Sequence, residues 1–118
     1  MTNFDPGDIV SVEFPYSDLQ GRKRRPGLVL SGDDEDLLLA RITTRPAREA
    51  GDMSLIQWSE AGLPKASTVR LAKLATVDRR LVLRRIGRIG AADGSNVLGA
   101  FEVWLRDMAD GFQRGSRL

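Results

Sequence analysis

Residues 7 to 31 read GDIVSVEFPYSDLQGRKRRPGLVLS: two apolar runs joined by a polar loop that ends in four consecutive basic residues. In the first run, Ile9 to Phe14, Val10, Val12 and Phe14 fall on one face and Ser11 and Glu13 on the other. That period of two marks a half-buried strand. The second run, Gly27 to Leu30, follows Pro26, and proline is tolerated at the first position of a strand. Arg22, Lys23, Arg24 and Arg25 thus sit where the chain enters the second strand. They concentrate positive charge at the lip of a small barrel, a place suited to a phosphate.

Working outward, Gly32 to Asp36 is a polar turn and Leu37 to Thr43 a third strand, apolar enough at its start to be buried on both sides. Thr44 to Asp52 is a loop with Pro46 and Gly51, and Met53 to Trp58 reads as a fourth strand. Thr68 to Leu71 and Leu74 to Val77 are short strand-like pieces, followed by a helical turn over Asp78 to Leu81. Leu83 to Ile89 alternates basic and apolar residues like an edge strand, and Gly90 to Gly94 breaks it. From Ser95 to Met108, Val97, Phe101, Trp104, Leu105 and Met108 recur at helical spacing, as in an amphipathic helix that closes the barrel. Gly111 marks its end, and residues 112–118 read as a frayed tail. Several short strands and one terminal helix predict a mainly β fold with α: a small antiparallel barrel plus a C-terminal helix, in a single domain spanning residues 1–118.

Composition narrows the function. The chain has 118 residues with ordinary globular hydrophobic and charged fractions, and no apolar run approaches the ~20 residues of a membrane span. With no signal-peptide pattern and no cysteine, it reads as a cytoplasmic protein without disulfides or thiolate metal sites. The absence of histidine removes the commonest general base and the commonest metal ligand. Net charge is only +2, but its distribution is uneven: Lys65 to Arg88 holds eight basic residues against one acid, Asp78. Arg79 to Arg88 alone reads equally well as a solvated face; adding Arg22 to Arg25 favours a polyanion surface. Asp33 to Asp36 reads as a solvated turn rather than a divalent-ion site, and no metal site or cofactor is expected.

The opening stretch, "GD-I-V-x-V-x-F-P-Y-S-D-L-x-G-x-K-R-R-P-x-L-V-L", resembles the amino-terminal signature of the MazF/PemK/Kid toxins of type II toxin–antitoxin pairs. Ala40-Arg41-Ile42-Thr43-Thr44 is similar to the family's third-strand element, and Ser67 to Asp78 to its "V-R-x-D-x-L-x-T-[IVL]-D" element. The resemblance covers nearly the whole chain. It implies an SH3-like barrel with a C-terminal helix, a homodimer, and a metal-independent endoribonuclease that cuts single-stranded mRNA. It also implies an antitoxin partner whose acidic, disordered tail lies in the basic groove. Two other readings stay open: a gyrase-poisoning toxin like CcdB, related at the level of fold only, and a degenerate relative that binds RNA or an antitoxin without cutting.

Metal-free RNA cleavage uses the neighbouring 2′-hydroxyl as nucleophile and needs the extra charge on phosphorus stabilised. Arginine suits that task because its planar donors grip two phosphate oxygens at once. By resemblance the catalytic residues are Arg25, Thr43 and Arg70. From residues alone, Arg25 reads as an exposed arginine in a basic loop, Thr43 serves equally as a β-former ending a strand, and a salt-bridged strand residue is the lesser reading of Arg70. RNA-binding candidates are Tyr16, for base stacking, with Ser17, Arg22, Lys23, Arg24, Thr44 and Lys73; Trp58 is an alternative stacking surface. Ser17 and Asp18 suit base edges, but capping the turn is the better reading of the two. Ala72 stands where many relatives carry an aspartate, so the general base stays open among Glu13, Asp18, Asp78 and Lys73, or a purely electrostatic mechanism.

Overall fold

The hairpin read from residues 7 to 31 pairs β1 (Asp8–Phe14) with β2 (Lys23–Gly32), Ile9 opposite Leu28 and Val12 opposite Arg25. The computed structural model describes residues 3–14 and 23–115. Tyr16, Ser17, Asp18 and Arg22 lie outside the described residues, as do the side chains of Phe14 and Lys23. β3 (Asp36–Thr43), β4 (Asp52–Ser54), β5 (Thr68–Asp78), a 3-10 turn (Arg79–Leu81) and β6 (Val82–Arg88) follow, then α1 (Ala91–Gly115). Among the described residues the strands form one six-stranded sheet in the order β4-β5-β3-β2-β1-β6, with every pair antiparallel.

β4 and β6 are the sheet's two edges, so among the described residues no ladder closes the barrel. The segment after β4 spans the gap instead. Gly62, at φ +92°, lies against the backbone of Ile86, and a Cβ there would meet the Ile86 carbonyl oxygen at 2.7 Å. Both sheet faces are buried: Ile9, Leu28, Ala40, Ile42, Val69 and Leu71 pack under Val97 of α1. Val10, Val12, Val29, Leu37, Leu39 and Val77 form a second cluster, against which Phe4, Leu81 and Val82 pack. Neighbours such as Ile9 and Val10 serve different clusters, as alternation requires.

Five expectations change. The second strand starts at Lys23 rather than Gly27, so Pro26 lies inside it, opposite Ser11, and not at its first position. The fourth strand stops at Ser54 rather than Trp58, because the N–H groups of Ile56 and Gln57 donate to Asp93 Oδ1 (2.9 Å) and Oδ2 (2.7 Å) instead of joining a ladder. The two pieces over residues 68–77 are one strand with a bulge: Ala40 pairs with Leu74 and Arg41 with Arg70, leaving Leu71, Ala72 and Lys73 unopposed. Gly90 to Gly94 does not separate strand from helix. The helix begins at Ala91, and Asp93 in its first turn accepts those two N–H groups, a favourable place for a carboxylate. Finally, α1 continues to Gly115, so 112–115 is helical rather than a frayed tail. Only part of the expected stripe packs on this chain: Val97 and Phe101 meet the core, whereas Leu105 and Met108 are exposed, as are Leu98 and Phe112 outside that stripe.

Candidate functional site

Pairing between β2 and β3 stops at Gly27 opposite Arg41. Beyond that point the two strand ends carry Arg25–Pro26 and Thr43–Thr44, and they frame a cavity of about 630 Å³. Continuing the register two residues sets Arg25 across from Thr43. Thr43 in turn pairs with Thr68, and Arg41 with Arg70 on β5. Period-two alternation puts Arg41 and Thr43 on one face of β3, with Arg70 beside them on the next strand. The cavity also receives Lys73 from the β5 bulge, Arg45 from the loop after β3 and Arg84 from β6.

Six cations therefore line one cavity, Arg25, Arg41, Arg45, Arg70, Lys73 and Arg84, and no carboxylate does so among the described residues. The Thr43 hydroxyl oxygen accepts the Arg45 N–H at 3.2 Å, which leaves its own O–H to donate into the cavity. Two acids hold Arg70. Its Nε donates to Asp52 Oδ1 at 3.1 Å and its Nη2 to Glu49 Oε2 at 2.5 Å. Asp52 pairs directly with Arg70 across the β4–β5 ladder. Burial pushes the Asp52 pKa up, but the Arg48 N–H, the Arg70 side chain and the Glu49 N–H outweigh it and hold the group below its ordinary range. The Asp52 hydrogen bond, with burial opposing it, raises the Arg70 pKa in turn. Gly51, at φ +89°, turns the chain into β4, and its carbonyl accepts the Leu71 N–H at 2.9 Å where the bulge starts.

Of the residues expected from sequence, the structure brings Arg25, Thr43, Thr44, Arg70 and Lys73 together at this cavity. Arg24, exposed on β2 opposite Glu13, does not line it. Trp58 packs against the core rather than offering a stacking face. Among the base candidates, Glu13 and Asp78 are away from the lining, and Lys73 is part of it. Asp78 caps the 3-10 turn and pairs with Arg80; that side-chain hydrogen bond is the main cause that lowers its pKa to about 2.

Most of the carboxy-proximal basic run is structural. Arg79 donates to the Asp33 carbonyl, Arg80 pairs with Asp78, and Arg85 and Arg88 pair with the buried Asp8. Only Arg84 of that run reaches the cavity. The Asp33 turn is also as expected: Asp33 Oδ1 accepts the N–H groups of Asp36 and Glu35, and these bonds lower its pKa. Sequence reasoning did not single out Arg41, Arg45, Arg84, Glu49 or Asp52 as site residues. Arg41 was findable, since it lies two residues before Thr43 and so shares its face. A second cavity, of about 640 Å³, lies between the start of α1 and β2. It is lined by apolar residues such as Leu28, Leu30 and Leu98, and its one charged residue, Arg88, is already paired with Asp8.

Solved structures share this fold. An endoribonuclease in complex with its cognate antitoxin, from a mycobacterial species, aligns with a TM-score of 0.67 at 15% identity, covering 84% of this chain and 91% of that one. A mycobacterial endoribonuclease aligns at 0.69 and 16% identity, covering 89% and 93%. The Mycobacterium tuberculosis toxin MazF-mt6 aligns at 0.65 and 21% identity, covering 79% and 90%. No curated protein sequence matches the chain. Residues 5–105 match the model of the PemK-like, MazF-like toxins of type II toxin–antitoxin systems, and the chain belongs to that family.

Proposed function

We propose that the chain is a single-domain, cytoplasmic toxin of a type II pair and a metal-independent, sequence-specific endoribonuclease, acting on single-stranded RNA in the cavity bounded by Arg25, Thr43 and Arg70. The observation that carries this reading is the lining itself: six cations and a free hydroxyl donor at the open end of the β2–β3 ladder. Six cations with no carboxylate beside them among the described lining residues attract an anion, and the forked guanidinium donors suit a phosphodiester. The 2′-oxygen bonds to phosphorus, the bond to the 5′-oxygen breaks, and the 2′-hydroxyl proton is lost as the 5′-oxygen gains one. The products are a 2′,3′-cyclic phosphate, or the 3′-phosphate it becomes, and a 5′-hydroxyl. Arg25 holds the charge that builds on the non-bridging oxygens, and Thr43 donates to one of them. Positioned donors of this kind are worth roughly 3 to 4 kcal/mol each.

The same cavity supports an acidic, disordered antitoxin tail as partner, since carboxylates and phosphates compete for the same guanidinium donors. The exposed apolar seam of Leu98, Leu105, Met108 and Phe112 on α1 supports a homodimer. No helix among the described residues is long and apolar enough to cross a membrane. The test is incubation of the purified protein with a long single-stranded RNA in excess EDTA, with new ends mapped by primer extension. Cuts at one recurring short motif with 5′-hydroxyl ends bear the reading out. A folded sample that makes no cuts refutes it.

A further inference from the structure

Arg70 enters the cavity with two of its guanidinium nitrogens engaged by acids of different kinds. Asp52 is fixed. Its side chain is 2% exposed, one oxygen takes Arg70 Nε, and the other takes the N–H groups of Arg48 and Glu49 at 3.2 Å each. Withdrawing it would undo the turn that leads into β4. Glu49 is loose by comparison. Its side chain is 53% exposed, and its carboxylate meets only Arg70 among the described residues. Arg70 itself is 13% exposed and lines the cavity. A carboxylate oxygen on an arginine nitrogen occupies the place a phosphate oxygen takes, because the same forked donors serve both.

We propose that Glu49 is an exchangeable cap on Arg70, displaced by an RNA phosphate as substrate enters, while Asp52 is a positioning residue that keeps the guanidinium aimed during the exchange. The inference rests on the reading of the cavity as an RNA site. In the free protein Glu49 partly neutralises Arg70. On binding, the phosphate inherits an arginine whose orientation is already set, so little reorganisation is left for the reaction itself.

The test measures two quantities at low ionic strength: affinity for an uncleavable 2′-O-methyl RNA and the cleavage rate of bound, unmodified RNA. The proteins are wild type, Glu49→Gln, Asp52→Asn, Arg70→Ala and the double variant Glu49→Gln/Arg70→Ala. Ion pairs with a half-exposed partner are weak, so Glu49→Gln tightens binding by up to about fivefold. Asp52→Asn lowers the cleavage rate of bound RNA about tenfold or more through misplacement of Arg70. In the Arg70→Ala background, Glu49→Gln changes nothing. Unchanged or weaker binding by Glu49→Gln overturns the proposal, as does a gain that survives without Arg70, which would be a bulk-charge effect. Glu49→Gln leaves the Asp52 turn intact, so it decides the matter even if Asp52→Asn does not fold. Wild type that binds with this pattern but does not cut refutes the nuclease reading alone; wild type that does not bind RNA refutes both.

Discussion

Replacing Asp93 by alanine should destabilise the protein by about 3 kcal/mol. Asp93 is 1% exposed, and its two oxygens accept the Ile56 and Gln57 N–H groups at 2.9 and 2.7 Å. Hydrogen bonds to a charged group are worth about 1.5 to 3 kcal/mol each, and the lower end applies because water can reach the exposed Ile56. A carboxylate in the first turn of a helix adds about 0.3 to 1 kcal/mol. Unfolding entropy scales with chain length, so 1 kcal/mol shifts Tm by about 4 °C in a chain of this size, and the expected fall is about 12 °C. Asp93→Asn keeps one acceptor and turns an N–H toward a donor, so it should fall between wild type and alanine. Thermal unfolding followed by circular dichroism, with urea titration for the free energy, makes the measurement. A loss under about 1 kcal/mol for the alanine variant would refute the view that this carboxylate pins the segment after β4. The consequence extends to function, because that segment supplies the Leu63 and Pro64 wall of the cavity.

Leu105→Glu and Met108→Glu should convert a dimer to monomer in sedimentation velocity, weakening association at least about tenfold, since a buried Leu or Met side chain is worth ~1.5–3 kcal/mol; unchanged sedimentation would exclude this seam. Gly51→Ala should cost about 1 to 2 kcal/mol in urea titration, because φ there is +89° and alanine is strained in that region. Acid should be the sensitive side of the pH profile. Asp33, Asp52 and Asp78 have folded pKa values below 3.8, so their stabilisation is complete above that value and is lost as pH falls through the folded one, about 2 for Asp78. With no histidine in the chain, stability should stay flat from about pH 5 to 8.

How much of this was legible depended on the range of the interaction. The β1–β2 hairpin follows from period-two alternation, a local signal, but Pro26 misplaced the start of β2, which pairs from Lys23 onward. The β5 bulge left no mark in composition, so one strand read as two pieces. Met53 to Trp58 has strand-like residues, but a carboxylate some 37 positions later takes its N–H groups, and no local pattern announces that. The helical stripe was found correctly, yet its burial was not, because periodicity does not say which chain covers a face. At the site, Arg25, Thr43 and Arg70 came from resemblance, and strand register explains why they meet. Glu49 and Asp52 required the β4–β5 register itself, which spacing along the chain does not encode.

The most direct test compares two arginines of equal charge. Arg25 lines the cavity, whereas Arg80, 89% exposed and paired with Asp78, lies outside it. In single-turnover cleavage of a mapped single-stranded RNA in EDTA, Arg25→Ala should slow the reaction roughly 100- to 1000-fold and Arg80→Ala should leave it near wild type. Equal losses in the two variants, or near-normal cleavage by Arg25→Ala, would contradict the assignment of this cavity as the place where RNA is cut.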